Sequence, residues 1–166
     1  KIDMLKFVRS AVLPVVALGA ALGAHAATDT TTFLVQIVIT ESCDIHTTAA
    51  TDVDFGTHAR SAGVWDAAGN LVVNCSKDTP YTISLNEGLN STSVTASATN
   101  RQMKLGANVV PYGLYRDTGR TLFWGNVVGT NTLAGVGTAA NVNVPVFGRV
   151  PLASTNVPAG TYVDTV

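Results

Sequence analysis

The sequence predicts an all-β domain, a β-sandwich of seven or eight short strands. Thr, Val, Ala, Asn and Gly crowd the 166-residue chain, a mix that suits strands and turns better than helices. Apolar and polar residues alternate with period two in several short segments, as in a strand buried on one face. Beyond the first 26 residues no segment sustains a 3.6-residue apolar period. Hydrophobic residues make up 46% and charged residues only 13%, which excludes a disordered tail protein. A formal net charge of −1 argues against a nucleic-acid partner, which calls for a basic field. Two Cys and three His exclude a zinc cluster built from paired CxxC motifs, and no other cofactor site is expected.

Taken in order, the chain opens on an address. Lys6 and Arg9 precede an uncharged run from Ala11 to Leu22, and Ala24-His25-Ala26 ends it with small residues at the two positions a signal peptidase reads. The apolar run is 12 residues, short of the ~20 that span a bilayer. Residues 1–26 are therefore expected to be a signal helix, with Lys1-Ile2-Asp3 as extra residues before Met4 and cleavage before Ala27. The exported chain holds 140 residues with 7 basic and 10 acidic side chains, a net charge of −3.

Residues 27–40 form the next unit. Within Thr31–Thr40, Phe33, Val35, Ile37 and Ile39 fall on one face, and Leu34, Gln36, Val38 and Thr40 on the other. Strands are then predicted at Asn70–Cys75, Pro80–Asn86, Val109–Asp117, Thr121–Trp124, Val142–Arg149 and Gly160–Val166. Asn86–Asn100 and Leu133–Asn143 read as loops or ragged edge strands, the first too polar for a core and the second rich in Gly and Ala. The large core side chains are expected to be Phe55, Tyr81, Leu85, Tyr112, Leu114, Tyr115, Trp124, Phe147 and Tyr162. Export places Cys43 and Cys75 in an oxidising compartment, where two cysteines are expected to pair. Closing that loop is worth roughly 3.7 kcal/mol by the chain-entropy relation.

Short matches to chemical motifs fail on context. Gly135-Val136-Gly137-Thr138-Ala139-Ala140 fits a dinucleotide fingerprint, but Asn141-Val142-Asn143-Val144-Pro145 cannot be the helix that must follow. Asp54-Phe55-Gly56 spells the kinase metal-binding triplet without the other kinase motifs. Asp52 and Asp54 lack the twelve-residue calcium loop, and His46 and His58 read as surface or turn residues. With no G-x-S-x-G present, the chain is not expected to be an enzyme.

A series of small motifs carries a resemblance. They are the strand Thr32–Thr40 with Cys43, Asp54-Phe55-Gly56, Leu71–Cys75, Thr79-Pro80-Tyr81 and Arg101-Gln102-Met103. Pro111–Asp117, Trp124-Gly125, Val146–Pro151 and Gly160–Val166 complete it. In this order they resemble the spore coat protein U domain, the family that supplies subunits of archaic chaperone–usher pili in Gram-negative bacteria. On that resemblance residues 41–166 are the pilin domain. It stops at Val166, short of the six or so alternating residues that family members usually carry after a GxYxD segment.

The resemblance implies an immunoglobulin-like sandwich that lacks its final strand. The open groove is filled first by a periplasmic chaperone, and then by the N-terminal segment of the next subunit through β-strand addition. It implies that Phe33, Val35, Ile37 and Ile39 are the donor residues, and burying the four is worth roughly 6–12 kcal/mol before ordering costs. The same strand also reads as the first strand of its own domain. The implied partners are other pilin subunits, the chaperone and an outer-membrane usher, and the implied destination is the cell surface, for adhesion and biofilm. A secreted coat protein that forms no pili and a tip adhesin are the alternatives.

Overall fold

The computed structural model describes residues 29–46, 48–59, 63–97, 100–152 and 155–166. The expected signal helix and the cleavage residues Ala24, Ala26 and Ala27 lie outside them. The chain divides into two units, Lys1–Val38 and Ile39–Val166.

Of the first unit the structure describes residues 29–38, which carry no strand pairing. Phe33, Val35 and Ile37 are 84%, 81% and 81% exposed. None of the described residues 29–40 lies in a strand, so the expected strand Thr31–Thr40 is not found among them, and Ile39 at the start of the second unit is 82% exposed as well.

The second unit is all-β, with no α-helix among its described residues. Its strands are β1 (Cys43–Asp44), β2 (Trp65–Cys75), β3 (Pro80–Ile83), β4 (Arg101–Leu105), β5 (Asn108–Tyr115), β6 (Leu133–Val136) and β7 (Asn141–Val150). They form an antiparallel five-stranded sheet in the order β1-β2-β7-β5-β4 and a two-stranded sheet β3-β6. The β2–β7 ladder dominates, running from Trp65↔Val150 to Asn74↔Asn141. Its period-two pattern is explicit in β7: Val144, Val146, Gly148 and Val150 point into the core, while Asn141, Asn143 and Pro145 are exposed. On the outer face Asn74 donates to Asn141 at 2.8 Å, and Asp66 receives a two-point hydrogen bond from Arg149, its cross-strand neighbour, at 2.8 Å for each contact. The Arg149 guanidinium holds the Asp66 carboxyl below the usual carboxylate range, although so exposed a pair adds under about 1 kcal/mol.

The smaller sheet lies over the larger one through a single core. Val73 and Cys75 of β2, Ile83 of β3, Val110, Tyr112 and Leu114 of β5, and three valines of β7 surround Trp124, which is fully buried. None of the nine expected core side chains is exposed: Tyr112, Leu114 and Trp124 are buried and the other six half-buried. The disulfide joins Cys43 to Cys75 with their Cα atoms 4.0 Å apart, directly across the β1–β2 pairing.

Two predicted strands are replaced by single bridges. Thr121–Trp124 contributes only Phe123, opposite Tyr115, because the Asp117 carboxylate accepts from the amides of Thr121 (2.9 Å) and Leu122 (2.8 Å) and closes a turn there. Gly160–Val166 contributes only Val163, opposite Lys104. Leu133–Asn143 holds the edge strand β6 and the first residues of β7, and Asn86–Asn100 has no strand.

Candidate functional site

Both strands of the small sheet are edges, and β1 is a two-residue edge of the large one. The sandwich is therefore open along one side, where a groove of about 1240 Å³ with an apolar floor runs between two irregular segments, residues 50–59 and 155–166. Its floor is the core face of the large sheet, including Leu71, Val110, Tyr112, Leu114, Val146 and Val150. A second cleft of about 280 Å³ follows between β1 and β3, lined by Val73, Tyr81 and Ile83. Leu71 and Val73 are successive residues on one face of β2, so groove and cleft adjoin along that strand. The groove exceeds the ~300–1,000 Å³ of ordinary small-molecule sites.

The first wall exists because two glycines leave room for it. A Cβ at Gly69 would stand 2.4 Å from the Thr51 carbonyl oxygen, and one at Gly148 would stand 2.5 Å from Val53 Cγ1. Thr51 can thus pair with Asn70, its amide donating at 2.9 Å, and the following residues cross the sheet. Asp54 turns the wall by accepting from the Gly56 amide at 2.7 Å, and Gly56 takes φ 75°. His58 then stacks on Trp65 with ring centroids 4.5 Å apart. Asp54 is thus a turn residue, and among the described residues no three His, Cys, Asp or Glu gather as a metal site.

The second wall hangs from β4 and from residues 89–90. The Lys104 amide donates to Val163 O at 2.9 Å and the Leu89 amide to Thr165 O at 3.0 Å. Asp164 is the fixing point: its carboxylate accepts from the Tyr112 hydroxyl at 2.7 Å and from the amide and side chain of Asn90 at 3.1 and 3.0 Å. Tyr162, predicted to need a partner for its hydroxyl, donates to Pro158 O at 2.8 Å.

Beneath this wall lies a buried cation. The Arg101 side chain is wholly inaccessible, and its guanidinium donates to the carbonyls of Asn86 (2.9 Å), Trp124 (2.8 Å) and Leu85 (3.0 Å). The Trp124 indole donates to Ile83 O at 3.0 Å. Arg101 and Trp124 together satisfy the carbonyls of the chain as it leaves β3 and hold that segment, with Leu85 on the groove lining, over the large sheet. Burial lowers the Arg101 pKa, and the nearby Tyr112, Asp164 and Glu87 oppose that shift.

Burial, and then the hydrogen bond to Asp164, push the Tyr112 hydroxyl well above its ordinary pKa. A tyrosine held neutral in the fold but free to ionise when unfolded contributes fully below about pH 10, and that stability is lost as pH rises further. Tyr112→Phe is therefore expected to cost about 0.5–1.5 kcal/mol at pH 7 and to blunt the alkaline loss. Urea midpoints at pH 7 and pH 11 check both effects, and an alkaline loss undiminished in the variant would contradict the assignment.

The predicted site residues divide accordingly. Cys43 and Cys75 are joined, whereas Phe33, Val35, Ile37 and Ile39 stand exposed and unpaired. Arg101 and Asp164 have no signature as site residues beyond the family motifs in which they lie. Asp54-Phe55-Gly56 carries the Asx-turn pattern that marks the first wall.

Comparison with known proteins agrees with this architecture. The chain resembles, with a TM-score of 0.52 and 26% identity over 76% of its length, a chain of the chaperone–tip adhesion subunit pre-assembly complex CsuC–CsuE from the archaic chaperone–usher Csu pili of Acinetobacter baumannii. It covers 38% of that chain. It is also 40% identical over 101 residues to Protein U of Myxococcus xanthus, a match that takes in 59% of this chain and spans about half (55%) of that protein. The pilin-type sandwich seen in the second unit is thus the fold that this likeness supports. The family model of the Spore Coat Protein U domain matches residues 29–166, and the chain belongs to that family.

Proposed function

We propose that the protein is a structural subunit of an archaic chaperone–usher pilus, not an enzyme, and that it assembles by strand donation. Its groove accepts an extended apolar strand. In the fibre that strand is residues 30–39 of a second copy or a related subunit, with Phe33, Val35, Ile37 and Ile39 facing the floor. Before assembly the groove is occupied by a periplasmic chaperone, which hands the subunit to an outer-membrane usher. Export through the periplasm to the cell surface follows from this route, and adhesion and biofilm formation are the roles of the fibre.

The observation that carries the reading is complementarity within one sequence. A groove with an apolar floor lies open beside unpaired sheet edges, and the chain also carries an exposed segment with one wholly apolar face, Phe33, Val35, Ile37 and Ile39, that lies in no strand. An open edge beside apolar surface is an aggregation hazard unless another strand covers it. The likeness to a chain of a chaperone–subunit pre-assembly complex supports the same partners.

The test is a free peptide of residues 29–41 added to the refolded protein. It is expected to bind saturably and raise the melting temperature. The same peptide with Val35→Asp and Ile37→Asp should do neither, and equal behaviour of the two peptides would refute the reading.

A further inference from the structure

We infer that the Cys43–Cys75 disulfide and the Ser42–Ser76 pair reserve the N-terminal arm for a second copy, by denying it the turn needed to enter the groove of its own chain; the inference rests on the strand-donation reading above. β1 is two residues long and both are exposed, so no core side chain of its own fixes it. It is held by pins. The Ser76 amide donates to Ser42 O at 2.9 Å, the Ser42 amide donates to Ser76 Oγ at 3.1 Å, and the disulfide ties the next residue to the end of β2. Both backbone polar groups of Ser42 are thereby engaged, and Ser42 is not free to join a turn.

Direction makes the pins decisive. From Cys43 the chain heads back along β2, with Cys43 opposite Cys75, Thr51 opposite Asn70 and, after Val53 and Phe55 have crossed over Gly148, His58 on Trp65. Residues 50–59 of this run are the first wall of the groove. For residues 30–39 to lie along the wall of their own chain, the backbone must reverse between Ile39 and the pinned Ser42. Only Thr40 and Glu41 are available for that reversal. A two-residue hairpin turn needs φ > 0 at one or both central positions and favours Asn, Asp or Gly. Thr40 is β-branched and neither residue belongs to that set, so the hairpin is disfavoured. The arm of another copy meets no such constraint. Without the pins, Cys43–Asp44 keeps only its two-residue ladder to Asn74–Cys75, and once that frays the next attachment is Thr51 on Asn70. The link then grows from 2 residues (40–41) to 11 (40–50), a length that closes readily.

The experiment restores the turn and keeps the disulfide. Asn-Gly inserted between Thr40 and Glu41 supplies the favoured hairpin residues, and the variant and parent are refolded from denaturant at low concentration. The variant is expected to close on itself. It should sediment as a monomer where the parent assembles, and chymotrypsin should cut at Phe33 and Leu34 at least ~10-fold more slowly than in the unassembled parent. Adding Ile37→Asp to the insertion should restore rapid cutting, which places the protection in the groove. Assembly and cutting at the parental rates would overturn the inference. Cys43→Ser with Cys75→Ser and Ser76→Pro, which removes the disulfide together with the amide and hydroxyl that hold Ser42, should also close where its circular dichroism matches the parent, and normal assembly of that variant would likewise overturn it. A failure of strand donation itself shows separately, as absence of binding by the free peptide to the parent, and removes the basis of the inference.

Discussion

Ile37→Asp is expected to abolish fibre assembly while leaving a soluble, folded subunit. Ile37 is 81% exposed in the single chain, so the substitution removes no core contact there. In a partner's groove it forfeits about 1.5–3 kcal/mol of apolar burial. The new carboxylate must also leave water or take up a proton, a further cost of several kcal/mol. A total on the order of 5 kcal/mol weakens the interface by more than ~10³-fold. Electron microscopy of producing cells, with a parallel measurement of periplasmic subunit, checks both halves. Normal fibres would sink the donor assignment, and loss of the soluble subunit would return the strand to its own core.

The largest effect on the fold itself is expected from Arg101→Met. The substitution keeps the stem of the side chain and removes the donors. The buried carbonyl of Trp124 and the part-buried carbonyl of Leu85 then lose their guanidinium partner, at about 1–3 kcal/mol each. The sum, about 2–6 kcal/mol, is a large share of the ~5–15 kcal/mol that holds an ordinary domain together. Urea unfolding should show it as a midpoint shift at unchanged slope, and Arg101→Lys should recover only part because an ammonium cannot span three carbonyls. A loss below about 1 kcal/mol would mean that the hub is incidental.

Much of the larger sheet was legible in the residues. Val142–Arg149 falls within β7 (Asn141–Val150), and Val109–Asp117 overlaps β5 (Asn108–Tyr115), because each is a strongly alternating run whose apolar face is buried. The aromatic and leucine core was legible for the same reason. β4 was not, since Arg101 and Lys104 break the apolar pattern. Arg101 enters the core only because carbonyls at 85, 86 and 124 converge on it, and that convergence is a property of the fold. The first half of β2 was missed too: Trp65–Gly69 mixes an acid with small residues, and its pairing is dictated by β7. The groove walls were invisible as walls, because they depend on the space left by Gly69 and Gly148 beneath segments with no period of their own. The apolar arm, in contrast, was legible before any fold, since its alternation needs no partner to be recognised.

The position of the disulfide also decides how the domain bears load. A pull on Ile39 meets the pins at Ser42 and Cys43 and passes through the covalent bridge to Cys75, the last residue of β2. It bypasses the weakly held two-residue strand and the irregular wall behind it. From Cys75 the force runs lengthwise into β2, which is zipped to β7 from Trp65 to Asn74. A force directed along paired strands strains many of their hydrogen bonds together, whereas a force across them opens one bond at a time. Resistance to forced unfolding is governed by the rate of crossing that barrier and not by equilibrium stability. Two domains of equal stability, one with this bridge and one with β1 merely hydrogen-bonded, would therefore differ in mechanical lifetime: the first yields by shear, the second by peeling.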